Sequence, residues 1–385
     1  MKVLYIQYTN PEAYPPLENS SRILGNAGWQ VLFLGTGSVG ADAVTFAKHG
    51  RIQVRKMPLC PRGWRQKLHY LQFALWALAW AVRWRPRWIY ASDLLSCPVA
   101  WLLSFLPYAH VIYHEHDSPA ATAPGLFQNL SLMARRKLAP RAKMCVLPNE
   151  KRAELFSQQV TDFDNKSGKS TFVVWNCPAL EEVSPPRSRH DGGVLWVLYH
   201  GTIVPSRLPV TIIDALSLLP ENVKLRVIGY ETVGHKGYVS MLQERAGLLG
   251  VDRRVEFVDP LPRNALLKEC RKCDVGLALM PKSSDDINMQ AMVGASNKAF
   301  DYLSCGLALL VSDLPDWRTA YVETGYGLSC DPGDTESVTA ALRWLIEHPA
   351  EMRTMGELGR RKIIAEWNYD KEFAPIYKRM NGSSL

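Results

Sequence analysis

Short apolar runs alternate with helical patterns along the whole chain, and the alternation restarts once. VLYIQY (3–8), VLFLG (31–35), WIYASD (88–93), HVIYHEHD (110–117) and KMCVLPN (143–149) read as strands, with a first helix near 18–27 ending at Gly28. Strands that are apolar along their length and joined through helices predict a parallel sheet covered on both faces. EEVSPPRSRHDGG (181–193) then brings breakers and little apolar content, which reads as a linker. After it VLWVLYHG (194–201), VKLRVIGY (223–230), VEFVD (255–259), DVGLALMP (274–281) and LALLVSD (307–313) repeat the grammar. Helices are predicted between them over 208–218, 237–249, 263–271 and 299–304, and a last one over 335–347. The chain is therefore expected to be α/β, with two doubly wound Rossmann-like domains at 1–180 and 194–365. A helical tail, 366–385, is expected to pack back towards the first domain. Such sheets bind ligands beyond the carboxyl ends of their strands. That places the expected site in a cleft between the domains.

The chain opens MKVLYIQY, a strand rather than a charged-then-apolar leader, which predicts a cytoplasmic protein. Its 8 cysteines are scattered, several within apolar runs (Cys145, Cys273, Cys305), and read as buried thiols. Cys270 and Cys273 form a lone CxxC without a second pair, which is read as structural. Charge is unevenly placed. Residues 1–180 hold 21 Lys and Arg against 10 Asp and Glu, a balance of +11; residues 181–385 hold 24 against 27, a balance of −3. A basic first half predicts an anionic partner such as a membrane surface, with no nucleic acid expected. LHYLQFALWALAWAVRW (68–84) is strongly apolar but too short between Lys67 and Arg83 to span a bilayer comfortably. Trp76, Trp80 and Trp84 recur every fourth residue and form one face, to be buried in a core or laid on a membrane with Arg83, Arg85 and Arg87 at its rim.

Three groups of residues carry candidate chemistry. Gly35, Gly37 and Gly40 match G-x-G-x-x-G, but after the second strand and with no acid between Asp42 and Asp93, so they read as a plain glycine-rich loop. His114-Glu115-His116-Asp117 ends a strand. Its two histidines are expected to point to opposite sides, which argues against a shared metal, while His116 and Asp117 are expected at the cleft. In the second half, Gly201 and Thr202 follow an apolar strand and lead into Arg207. Lys282 ends another strand, and Asn297 and Lys298 open the helix that carries Asp301. Residues three apart share a helix face. Cations near a carboxylate suit a ligand with phosphates and sugar hydroxyls.

The second half resembles glycosyltransferase family 4 of the GT-B superfamily. YHGTIVPSRLPVTIIDALSLLP is similar to its glycine turn, basic residue and long helix. VEFVDPLPRNALLKECRKCDVGLALMP and SNKAFDYLSCGLALLVSDLPDWR are similar to the units that follow. In the first half the architecture and HVIYHEHD carry the likeness. The resemblance implies that Arg207 contacts the donor diphosphate, that Asp301 binds ribose hydroxyls and that His116 meets the donor sugar. Counting the family's E-x7-E motif back from Asp301 gives Val293 rather than an acid, which implies that Asn297 and Lys298 share donor binding. NPEAYPP (10–16) replaces the family's glycine pair after the first strand.

Together these readings predict a retaining hexosyltransferase-like enzyme with His116, Asp117 and Arg207 in catalysis. Gly201, Thr202, Arg207, Lys282, Asn297, Lys298 and Asp301 are expected to hold a nucleoside-diphosphate sugar, which is the donor substrate. No metal or other cofactor is expected, since Asp285-Asp286 lies in a polar loop rather than at a strand end. The expected acceptor is a saccharide or lipid-linked hydroxyl in glycan, polysaccharide or glycolipid biosynthesis, met by a peripheral protein at the inner membrane face. The alternatives are a nucleotide-sugar epimerase of similar fold and a non-catalytic sugar-nucleotide-binding scaffold.

Overall fold

The computed structural model describes residues 1–38, 44–61, 63–120, 125–161, 171–186 and 193–382. The chain forms two compact units. Unit 1 comprises Met1–Asn176, Asp286–Ala295 and Tyr369–Leu385; unit 2 comprises Cys177–Asp285 and Ser296–Asn368.

Unit 1 holds a parallel sheet of β1 (Lys2–Ile6), β2 (Gln30–Thr36), β3 (Ile52–Met57), β4 (Trp88–Ser92), β5 (His110–His114), β6 (Met144–Leu147) and β7 (Thr171–Val173). Their order is β3-β2-β1-β4-β5-β6-β7, every pair parallel. The central strands are apolar on both faces, and two clusters of buried side chains use them. Leu4, Ile6, Ile89 and Val111 pack under the helices Trp64–Trp84, Cys97–Leu103 and Leu126–Leu138. Val3, Tyr5, Tyr90 and Ile112 pack on the other side with Leu17 and Leu24 and with the carboxyl-terminal Tyr369, Phe373, Ile376 and Met380. Trp88 Nε1 donates to the Met380 carbonyl at 3.2 Å, tying the tail to β4.

Unit 2 holds β8 (Leu195–Ile203), β9 (Val223–Glu231), β10 (Val255–Val258), β11 (Val275–Ala278), β12 (Ala308–Ser312) and β13 (Gly327–Cys330), in the order β10-β9-β8-β11-β12-β13. All pairs are again parallel. The strand order reverses beside β8, which creates the switch point where open α/β sheets bind ligands. Its helices start where chemistry favours it. Asp334 Oδ1 accepts the Glu336 N–H at 3.0 Å and caps the helix Thr335–Glu347.

The structure adds three strands to the predicted set: β3, β7 and β13. All three are edge strands. An edge strand is half solvated and kept short or charged, so Ile52–Met57, IQVRKM, lacks the continuous apolar run that marks a central strand. All 8 cysteines are free thiols. The predicted glycine-rich loop lies partly outside the described residues, at Val39 and Gly40, as does part of the predicted linker, at 187–192. Gly35 serves close packing: a β-carbon there would lie 2.5 Å from Pro11 Cδ.

Candidate active site

In unit 2, β8 ends through Tyr199, His200, Gly201 and Thr202 at the switch point. Gly201 has φ +110, a region glycine enters freely and other residues rarely. A β-carbon there would lie 3.1 Å from both Cε and Nζ of Lys298. Its cross-strand partner is Gly229, where a β-carbon would lie 1.8 Å from the Gly201 carbonyl oxygen. Gly201 thus leaves room for the lysine, and Gly229 for the Gly201 backbone.

Lys298 is the second residue of the helix Asn297–Ser304 and only 7% exposed. Its Nζ lies 5.6 Å from the Tyr199 ring centroid. Burial, and then the like charge of Arg207, push its pKa down to about 7 against the opposing pull of Asp301. Beside it the Asn297 side-chain carbonyl is buried without a hydrogen-bond partner among the described residues. A lysine whose charge is disfavoured by burial and by a second cation gains most from a ligand that brings anionic oxygens.

Asp301 lies one helical turn on and is 1% exposed. Its carboxylate accepts both ends of the Arg263 fork, Nη2 to Oδ1 at 2.8 Å and Nη1 to Oδ2 at 3.3 Å. Arg263 also donates to Glu182, at 2.5 and 2.9 Å. His200 Nε2 is 3.5 Å from Asp301 Oδ2, but burial first, then Lys298 and Arg263, hold its pKa well down, so the ring is neutral. The Tyr302 hydroxyl accepts the His200 N–H at 3.0 Å. Tyr302 fits because residue 276 is glycine; a β-carbon there would lie 2.2 Å from its ring.

The structure gathers Gly201, Arg207, Asn297, Lys298 and Asp301 about the end of β8 and the start of one helix. Thr202 lies there too, its carbonyl accepting the Tyr199 hydroxyl. Lys282 pairs instead with Asp331 at 2.6 Å on the surface. Arg263 and Glu182, which anchor Asp301, stand out by no sequence signal, since they lie 38 residues before it and 81 residues before Arg263 respectively.

Unit 1 builds a second constellation after β5. Glu115 is fully buried and bidentate to Arg135, Nε to Oε2 at 2.5 Å and Nη2 to Oε1 at 2.9 Å, and it accepts the Tyr113 hydroxyl at 2.7 Å. His114 Nδ1 is 2.7 Å from the Tyr90 hydroxyl. The expectation that His114 and His116 diverge is corrected: their ring centroids are 3.9 Å apart. Residues two apart in an extended chain share a face. Among the described residues neither ring nitrogen of His116 has a hydrogen-bond partner, and burial, then Arg152, push its pKa down to about 3, so it is neutral. Asp117 is exposed.

Asp93 organises this loop, and the sequence reading does not single it out. It leaves β4 at the switch point of the first sheet with φ 63. Its Oδ1 accepts the N–H of His116 at 2.9 Å and of Asp117 at 3.4 Å. Burial, then Asp117, push its pKa up to about 8 against those two N–H groups. From the other side Arg152 Nη1 donates to the His116 carbonyl at 2.7 Å. Arg152 also binds the carbonyls of Ala291 and Asn288, at 3.1 and 3.0 Å, and Asn149 Nδ2 binds the Val293 carbonyl at 2.8 Å. Asp286–Ala295 is thereby part of unit 1.

Residues 17–165 match a glycosyl transferase 4-like domain, and residues 210–377 match a glycosyl transferase-like model. HepE of Anabaena, solved in complex with UDP and glucose, superposes with a TM-score of 0.69 at 17% identity over 99% of this chain and 100% of that one. Sucrose-phosphate synthase from Thermosynechococcus elongatus gives 0.71 at 17% identity, with 100% of both chains covered. An E. coli trehalose-6-phosphate structure bound with UDP-2-fluoro glucose gives 0.71 at 15% identity, again over 100% of both. The chain has the GT-B fold. A search of curated proteins finds no sequence match. The 4-like model falls on the first half of this GT-B chain, whereas the family 4 resemblance is most specific in its second half. The second half matches its own glycosyl transferase-like model, so both halves carry glycosyltransferase domains.

Proposed function

We propose that this chain transfers a sugar from a nucleoside-diphosphate donor to an acceptor hydroxyl, with retention and without a metal ion, as a hexosyltransferase of family 4 type. The observation that carries this reading is Lys298: a buried amine beside Arg207, packed against backbone left open at Gly201. The glycosyltransferase domains in both halves support it, as do neighbours solved with UDP and UDP-sugars. As the bond between sugar and diphosphate breaks, negative charge builds on the leaving oxygen. Lys298 and Arg207, already in place, stabilise it there. Asn297 and Thr202 offer polar contacts to the donor. Asp301 holds Arg263 and favours the charge on Lys298, and a ribose hydroxyl would share its carboxylate. Lys282, paired with Asp331 on the surface, is left outside this donor site. Asp286 Oδ1 accepts the Asn288 N–H at 2.9 Å and caps the short helix that follows.

Unit 1 we assign to the acceptor, with His116 and Asp117 acting in transfer and Asp93 fixing their backbone. A lipid-linked or saccharide hydroxyl fits this half, at the inner membrane face, in glycan or glycolipid biosynthesis. His116→Ala should then keep nucleoside-diphosphate affinity within about twofold, because every donor group named above is in unit 2, yet lose transfer by about 100-fold. Transfer assayed in EDTA tests the reading: turnover that persists in wild type supports it, and turnover that requires added Mg²⁺ or Mn²⁺ contradicts it.

The pH dependence has a defined sign. An unfolded lysine keeps its proton to about pH 10.4, whereas folded Lys298 releases it near pH 7. Between those values the unfolded chain binds more protons, so this group's contribution to stability rises with pH. Binding runs the other way. A diphosphate favours the charged amine, so affinity for nucleoside diphosphate should fall as pH rises above 7. Calorimetry at alkaline pH in buffers of different ionisation enthalpy should show proton uptake in wild type and none in Lys298→Arg.

A further inference from the structure

The helix Trp64–Trp84 buries Tyr70, Phe73, Ala77 and Ala81 against the first sheet, with Trp76, Trp80 and Trp84 half-buried along one flank. The tryptophan face of the sequence reading is therefore largely a packing face. The opposite side of the helix is also apolar. Trp64, Leu68, Leu71, Leu75 and Val82 share a stripe along its length. The short helix Cys97–Leu103 packs against both this helix and Leu126–Leu138. It presents Leu102, with Phe105 just beyond it. Leu126–Leu138 presents Leu126, Leu130 and Met133 at the same helical spacing. These ten side chains are 46–76% exposed.

Charge on this face has one sign. The three helices contain no Asp or Glu, and neither do the stretches from Asp93 to Glu115 or from Asp117 to Glu150, between those residues. They carry Arg65, Lys67, Arg83, Arg136 and Lys137 outside the core. Arg141 lies 3.8 Å over the Phe105 ring, Lys137 4.9 Å over Trp101 and Arg65 5.6 Å over Trp64. A helix facing water normally sets polar residues opposite its buried side. Exposed apolar area of this extent marks an interaction surface. Leucines flanked by long-stemmed cations, with no acid among them, complement an anionic lipid surface: apolar tips enter the acyl boundary while cationic heads stay among the phosphates. Among the described residues no helix is long and apolar enough to cross a membrane.

We infer that this three-helix face of unit 1 seats on an anionic membrane, with Leu68, Leu71 and Leu75 inserted and the Arg and Lys side chains bound to lipid phosphates. Docking here rests, for its purpose, on the lipid-linked acceptor of the reading above, since it brings the acceptor half to the lipid.

The full chain should co-sediment with vesicles of phosphatidylcholine and phosphatidylglycerol in equal parts, and bind pure phosphatidylcholine vesicles at least about tenfold less well. A fraction should stay bound in concentrated NaCl, because inserted leucines are not screened. Leu71→Gln/Leu75→Gln should remove that salt-resistant fraction, and Arg136→Gln/Lys137→Gln should lower low-salt binding about tenfold. Circular dichroism and thermal melts establish that each variant is folded, and the charge pair gives an independent test should the leucine pair fail to fold. No binding to anionic vesicles at low salt would overturn the inference, as would binding indifferent to the leucine pair. A wild-type dimer that Leu71→Gln/Leu75→Gln converts to a monomer, without vesicle binding, would assign the face to a second copy instead. Nucleoside-diphosphate affinity, measured on the same preparations, separates this outcome from failure of the donor site: all four residues lie in unit 1, so that affinity should be unchanged in both variants.

Discussion

Asp301→Ala is expected to destabilise the chain by about 3 kcal/mol, because it strands a buried cation. Asp301 and Arg263 are both shielded, with 2% and 12% of their side chains exposed. Arg263 would keep Glu182 at 2.5 Å, which holds the loss towards the lower end for a broken buried pair. Arg263→Met/Asp301→Leu, which removes both charges, should recover most of that stability. Denaturant unfolding compares the two. A single mutant as stable as wild type would show that the pair carries nothing. A functional loss should accompany the structural one. Asp301 favours the charged form of Lys298, so without it the amine is less charged at neutral pH. Donor affinity should then fall, and lowering the pH should restore part of it. An affinity deficit that is the same at every pH would leave the ribose contact as Asp301's only part in donor binding.

Lys298→Ala should reduce turnover by about 100-fold or more, the scale of removing one preorganised group from a developing anion. Fold stability should not fall in step. Burial already disfavours the amine's charge, so removing this desolvated group offsets the packing lost with its buried stem. Arg207→Ala should lose rate similarly, and the double mutant less than the product of the two, since each cation acts on the same diphosphate and one depresses the charge of the other. Steady-state kinetics beside thermal melts distinguish this from unfolding. Equal losses of rate and stability in Lys298→Ala would make the lysine structural.

Most of the fold is legible in the sequence because central parallel strands are buried on both faces and read as apolar runs. VLFLG and LALLVSD leave no other reading. The strands that escape notice are the edges, where solvent on one side permits IQVRKM and GLSC. In the site, Gly201 and Arg207 are legible as residues placed just past an apolar strand, and Lys298 as a cation opening a helix. Their mutual arrangement, and the use of Lys282 elsewhere, depend on distances no spacing encodes. Arg263 with Glu182, and Asp93 beneath His116, are long-range pairs, and single charges carry no local pattern. Asp286–Ala295 shows the same limit. Its sequence sits inside the second half, yet Arg152 and Asn149 bind its carbonyls and fold it into unit 1.

The most direct test of the donor site is a thermal-shift series of the full chain with UDP, GDP, ADP and CDP, repeated on Lys298→Ala. A ligand at about 100-fold its dissociation constant adds about 2.7 kcal/mol to the folded state. At least one nucleoside diphosphate should raise the melting temperature of wild type, and the same ligand should give little or no shift in the variant. No shift with any of the four, or an equal shift in wild type and Lys298→Ala, would contradict a diphosphate site built on Lys298.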